Sequence, residues 1–292
     1  MKGSASFTAA LAAVARGLGR LLPEDARLID DPFGERFATG SLERVARVAP
    51  RLPWLFESTL VTMQVRTSLI DEALVSFVTK GGRQVLVLGA GFDARALRFA
   101  RELFDTRVFE VDHPATQARK REALPEAAEV RYLPWDFEAQ PVSALPDALR
   151  GLGHDTRAPT LTIWEGVTMY LSEPAIDETV RAVATLSAPG SRFVLTYIER
   201  AAIERPGRLR GLVARVVAGV GEPLCFGFAP DELSAWLGDR GFNLEHDVTF
   251  QDAAGLLLPP RYPPMFDPSL RIAFAARSVV GGSDADPPPR RA

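Results

Sequence analysis

Hydrophobic and polar positions fall into two textures that meet near residue 80. Residues 1–80 hold no strand-like run; they read as helices broken at "LPEDARLIDDPFGERF" and "APRLPW", where Pro, Gly and paired Asp signal turns. From Arg83 onward, short β-branched or aromatic runs alternate with helical stretches: "RQVLVLG", "TRVFEVD", "EVRYLPWD", "PTLTIWEG" and "SRFVLTYIE". Runs that are apolar on both faces, each followed by a helix, predict a parallel sheet covered on both sides.

The pattern changes again after Arg200. The stretch "ERPGRLRGLVARVVAGVGEPLCFGF" is helical and apolar-plus-Arg, and could fold over a site as a lid. Pro230 and Asp231 then open a helix that Gly241 stops. Beyond it, "NLEHDVTF" and "LRIAFAARSVV" are joined by the Pro-rich loop "LLLPPRYPPMFDP", which predicts a helix-free antiparallel strand pair at one end of the sheet. The tail "GGSDADPPPRRA" has the composition of disorder. The expected organisation is one domain over residues 1–280: a helical cap (1–80), a cofactor-binding core (81–199), a lid (200–230) and a C-terminal helix with a strand pair (231–280). Residues 281–292 follow as a tail.

Composition narrows the partners. At 292 residues and 47% hydrophobic, the chain can fill one large core. A net charge of −3 offers no field for nucleic acid or an anionic membrane surface. Nearly all positive charge is Arg, the lysines being Lys2, Lys80 and Lys120. Cys225 is the only cysteine, which excludes an internal disulfide and fits a reducing cytoplasm. The opening "MKGSASFTAALAAVARGLGRLL" is interrupted by Arg16 and Arg20, reaches no spanning length and reads as an amphipathic helix.

The candidate chemistry begins at "VLVLGAGFDARALRF". Gly89, Gly91 and Ala94 fit G-x-G-x-x-A after a strand, a turn whose backbone can approach a ligand and present free N–H groups at the next helix. Asp112 ends the following strand, where a carboxylate can accept from both hydroxyls of a ribose. That combination fits NAD or S-adenosylmethionine. Asp93 favours the second: an unpaired acid at the helix start would repel a pyrophosphate, although it also suits a helix cap. Trp135, Asp136 and Phe137 end the third strand, where an adenine could stack. Glu165 ends the fourth at the carboxyl edge of the sheet, and Arg66, on a helix before the sheet, could grip a carboxylate.

These stretches together resemble the leucine carboxyl methyltransferase family, from about Asp30 to Phe242. The resemblance rests on "DDPFGERF", "VRTSLIDEAL", "LGAGFDARALRF", "FEVDHPATQARK", "LPWDF", "WEGVTMYL", "LTYIER" and "GFAPDELSAWL". It implies a class I methyltransferase fold: a Rossmann-like, doubly wound α/β sheet, mostly parallel with one antiparallel strand, carrying the cap and lid. By the same resemblance Arg66 would hold the methionine carboxylate, Gly89, Ala90, Gly91 and Asp93 the cofactor turn, Asp112 the ribose, Asp136 with Phe137 the adenine, and Glu165 the methionine amino group. Tyr197 would line the reaction pocket with Tyr170 close by. Ala94 stands where the family pattern has threonine.

The implied activity is S-adenosylmethionine-dependent O-methylation of a small molecule, of the kind found in secondary metabolism, by a monomer or homodimer. A sulfonium is already a good leaving group, so the protein's task is to align an acceptor and exclude water. A carboxylate would need only an orienting arginine such as Arg205 or Arg261, whereas a phenol or alcohol would need a base. His113, His154 and His246 show no metal-ligand spacing and no clear base among them, which favours a carboxylate. The competing readings are an NAD-dependent oxidoreductase and a non-catalytic cofactor-binding protein.

Overall fold

The computed structural model describes residues 6–125, 130–137, 139–206 and 223–278. Its sheet has seven strands: β1 (Gln84–Leu88), β2 (Arg107–Asp112), β3 (Val130–Pro134), β4 (Leu161–Trp164), β5 (Arg192–Ile198), β6 (Phe242–Thr249) and β7 (Leu270–Arg277). They run in the order β3-β2-β1-β4-β5-β7-β6. Strands β1 to β5 are mutually parallel, and β7 is antiparallel to both β5 and β6. The sheet is therefore mostly parallel with one reversed strand, as expected. Between β1 and β4 the strand order reverses direction, the point at which open α/β sheets bind ligands beyond their carboxyl ends.

Among the described residues the α-helices are, in chain order, α1 (Phe7–Gly17), α2 (Ser41–Val48), α3 (Glu57–Thr79), α4 (Arg95–Arg98), α5 (Pro114–Ala123), α6 (Leu145–Gly151), α7 (Glu173–Leu186), α8 (Arg200–Glu204), α9 (Pro230–Gly238) and α10 (Phe250–Leu257). Successive strand residues point to opposite faces, so each parallel strand feeds two cores. Val85, Val87, Val108, Ile163, Val194 and Ile272 pack under α1, α3 and α10. Leu86, Phe109, Trp164, Phe193 and Leu195 pack under α6, α7 and α9. At about 25 cal/mol per Å² of apolar surface, these layers supply the main driving force for folding. Helix α3 thus belongs to a sheet-covering layer as well as to the N-terminal cap. None of the described helices is long and apolar enough to cross a membrane.

One sequence expectation about the fold fails. The strands β6 and β7 are not joined by a helix-free loop: α10 lies between them. Thr249 caps it, its hydroxyl accepting from Asp252 N at 2.9 Å, and Phe250, Ala253 and Ala254 bury its inner face against the α3 layer. The helix after the glycine turn is a single turn, Arg95–Arg98. Of the predicted lid, residues 207–222 lie outside the described residues, as does the tail 281–292. On either side of residues 207–222 the chain comes together where Arg200 N donates to Phe228 O and Phe228 N to Ile198 O, at 2.8 and 3.2 Å.

Candidate functional site

The turn after β1 is built by backbone constraint. Gly89 and Gly91 both have positive φ, +60° and +50°, a conformation that L side chains rarely adopt. A Cβ at Gly89 would collide with Val167, and one at Gly91 would come 3.1 Å from the Ala9 side chain of α1. The N–H groups expected to be free are engaged. Ala90 N donates to Val111 O at 3.1 Å, Gly91 N to Asp112 Oδ2, and Arg95 N to Asp93 Oδ1 at 2.6 Å. Asp112 also accepts from His113 N at 2.6 Å. Burial pushes the Asp112 carboxyl above its ordinary range, while the two backbone donors and Lys120 pull against that push.

Arg66, Asp93 and Glu165 converge on this turn. Arg66 Nε lies 2.6 Å from Glu165 Oε1 as an ion pair whose angles do not make it a hydrogen bond; both atoms are buried and lack a hydrogen-bonding partner. Arg95 Nη1 donates to Glu165 Oε2 at 2.8 Å, and Arg95 also holds both Asp93 and Asp71. Arg98 reaches the second Asp71 oxygen. Burial would raise the Glu165 carboxyl, but Arg95 and Arg66 outweigh it and hold Glu165 well below the usual carboxylate range. Asp93 follows the same balance, with Arg95 and Lys120 prevailing over burial. Asp93 is therefore not the unpaired acid expected from the sequence. Arg95 neutralises it, it accepts from the Arg95 backbone N–H at the start of α4, and repulsion of a pyrophosphate by Asp93 alone no longer separates the candidate ligands.

A second group of the expected site residues assembles at the ends of β2 and β3. His113 Nδ1 accepts from Ala115 N at 3.2 Å, capping α5, and its Nε2 lies 3.7 Å from Asp136 Oδ2. Asp136 and Phe137 are half-buried there, and Trp135 is buried, its backbone N–H donating to Asp112 O at 2.8 Å. Tyr170 is half-buried on the short 3-10 turn Thr168–Tyr170 beyond Glu165.

Tyr197 is placed differently from the expectation. It is 1% exposed, its ring meets Phe228 edge-on in the α9 layer, and its hydroxyl donates to Asp247 at 2.7 Å. Burial, then the Asp247 carboxylate, hold its phenol well above the ordinary tyrosine range. It ties β5 to the β6–β7 pair through Asp247 and Arg271, whereas Glu165 pairs towards α3.

Several residues at the site carried no role in the sequence reading. Arg16 of α1 pairs with Asp31 at 2.9 Å and donates to Phe92 O at 2.7 Å, while the Phe92 ring stacks on Phe37 at 4.1 Å. The cap thus grips the glycine turn twice. Asp31, Arg95 and Asp71 all fall inside quoted motifs, and their charge beside apolar neighbours was the available signal.

Comparison with known proteins gives a consistent picture. The family model described as leucine carboxyl methyltransferase matches residues 9–184. A Mycobacterium tuberculosis protein carrying the name S-adenosyl-L-methionine-dependent methyltransferase is 30% identical over 271 residues, covering 84% of this chain and 86% of its own. A Streptomyces coelicolor protein named in the same way is 36% identical over 180 residues, 61% of each chain. Among solved structures, a DUF574 family protein from Streptomyces avermitilis superposes with a TM-score of 0.61 at 16% identity, covering 94% of this chain and 98% of its own. A Thermobifida fusca protein whose structure is titled as that of a methyltransferase gives 0.57 at 21% identity, covering 90% and 98%.

Proposed function

The chain belongs to the leucine carboxyl methyltransferase family, and we propose that it is an S-adenosylmethionine-dependent O-methyltransferase acting on a small carboxylic acid. The observation that carries this reading is the Arg66–Glu165 pair. A buried guanidinium and a buried carboxylate stand side by side, with facing atoms 2.6 Å apart that satisfy no hydrogen bond. The two charges match the carboxylate and ammonium of an α-amino acid, so a methionine moiety would satisfy both. Arg66 would take its carboxylate and Glu165, held ionised by Arg95, its ammonium. Asp112, ordered by Gly91 N and His113 N, would accept from the ribose hydroxyls, and Asp136 with Phe137 would border the adenine. The positive-φ turn Gly89–Gly91 lets the backbone come close without a Cβ in the way.

When bound, S-adenosylmethionine supplies a methyl group on a positive sulfur. The protein's own contribution is orientation and exclusion of water. No described histidine is arranged as a base beside Glu165. His113 caps α5. His154 is buried against Phe109 and Thr160, and its pKa is pushed down to about 4, by burial and then Arg107. His246 is exposed on β6. The expected orienting arginine Arg261 is instead held by Asp25 at 2.7 Å on the surface. An acceptor that arrives ionised needs no base, which supports a carboxylate over a phenol or alcohol. Incubation with methyl-labelled cofactor and a panel of acids and phenols should give a labelled product that mild base hydrolyses, as an ester does. A base-stable ether as the main product would overturn the carboxylate assignment.

A further inference from the structure

Beneath the cofactor turn lies a buried ion pair that the proposed chemistry does not use. Glu110 and Asp112 share one face of β2, because they are two residues apart on a strand. Lys120 reaches across from α5 to bond Glu110 Oε2, and both partners are 2% exposed. Gln117, one turn earlier on α5, donates to Glu110 O at 3.2 Å. A pair buried this deeply is weak evidence for stability, since desolvation consumes most of the attraction and apolar replacements are often neutral. Lys120 nevertheless acts on more than its partner: its charge also favours the ionised forms of Asp112 and Asp93. The ammonium is bonded to Glu110, two residues from Asp112 on the same face of β2, and His113, whose backbone N–H donates to Asp112, is the imidazole next to that carboxylate.

Building on the cofactor reading above, we propose that Lys120 is a positioning residue for Asp112: anchored on Glu110, its ammonium supplies the positive charge that lets the ribose acid sit buried as a carboxylate. Glu110 is the softer member of the group. Burial, with Asp93 and Asp112 adding to it against the pull of Lys120, raises its pKa to about 7. A proton taken up by Glu110 in mild acid would leave the Lys120 ammonium to Asp112, so cofactor affinity survives mild acid.

Isothermal titration with S-adenosylhomocysteine near pH 8 and near pH 6 tests this. Wild type and Glu110→Gln should bind with affinities that change by less than about threefold between the two, whereas Lys120→Met should lose about tenfold on acidification, the equivalent of one pKa unit at Asp112. The double variant Lys120→Met/Glu110→Gln removes both members of the buried pair, so neither is left without its partner; it should fold, yet keep the acid-sensitive weakening. Wild-type affinity at both pH values in the double variant would overturn the assignment. So would loss of its folded far-ultraviolet circular dichroism, which would make the pair a structural requirement. Failure of wild type to bind S-adenosylhomocysteine at all would instead reject the cofactor reading on which this role rests.

Discussion

Glu165→Gln is expected to reduce S-adenosylhomocysteine affinity by at least about a hundredfold and to destabilise the fold by about 3–5 kcal/mol, the usual cost of breaking a buried ion pair from one side. The substitution barely changes volume, so packing is not the cause. What it removes is the charge that Arg66 and Arg95 both contact, at 2.6 and 2.8 Å. Arg95 would then keep Asp71 and Asp93 while Arg66 would lose the carboxylate it pairs with, and the site would lose the group that would face an ammonium. Titration calorimetry reads the affinity and urea unfolding the stability. Wild-type values in both would mean that Glu165 is neither a ligand group nor the centre of the network.

Asp112→Ala ranks second. It should weaken S-adenosylhomocysteine binding by about 1–3 kcal/mol, through loss of charge-assisted hydrogen bonds to the ribose. The same change strips Gly91 N and His113 N of their acceptor, so the turn itself should loosen. Asp112→Asn, which keeps one carbonyl acceptor, should lose less than alanine does. Equal affinity for wild type and the alanine variant, measured under the same conditions, would place the ribose elsewhere.

Much of this arrangement was legible in the sequence because it is carried by local pattern. Strand runs apolar on both faces announced the covered parallel sheet, and a glycine turn 21 residues before an acid at the next strand end announced Gly91 and Asp112, which prove to be hydrogen-bonded. What stayed hidden depends on contacts between distant segments. The compensation of Asp93 by Arg95 could not be seen without knowing that Asp71 of α3 and Glu165 after β4 meet the same guanidinium. The grip of Arg16 on Phe92 spans 76 residues. The family resemblance implies a pocket role for Tyr197, but alternation along β5 turns it into the α9 layer, where Asp247 takes its hydroxyl. Helix α10 was missed because the Pro-rich stretch after it dominated the reading, although Thr249 and Asp252 carry a capping pattern.

Whether the carboxyl ends of β1, β2 and β4 hold an adenosyl amino acid or a dinucleotide is decided most directly by calorimetric titration of the purified protein with S-adenosylhomocysteine and, separately, with NAD. Saturable heat with S-adenosylhomocysteine and none with NAD is the expected result. Binding of NAD without S-adenosylhomocysteine would contradict the pairing of Arg66 and Glu165 with an α-amino acid.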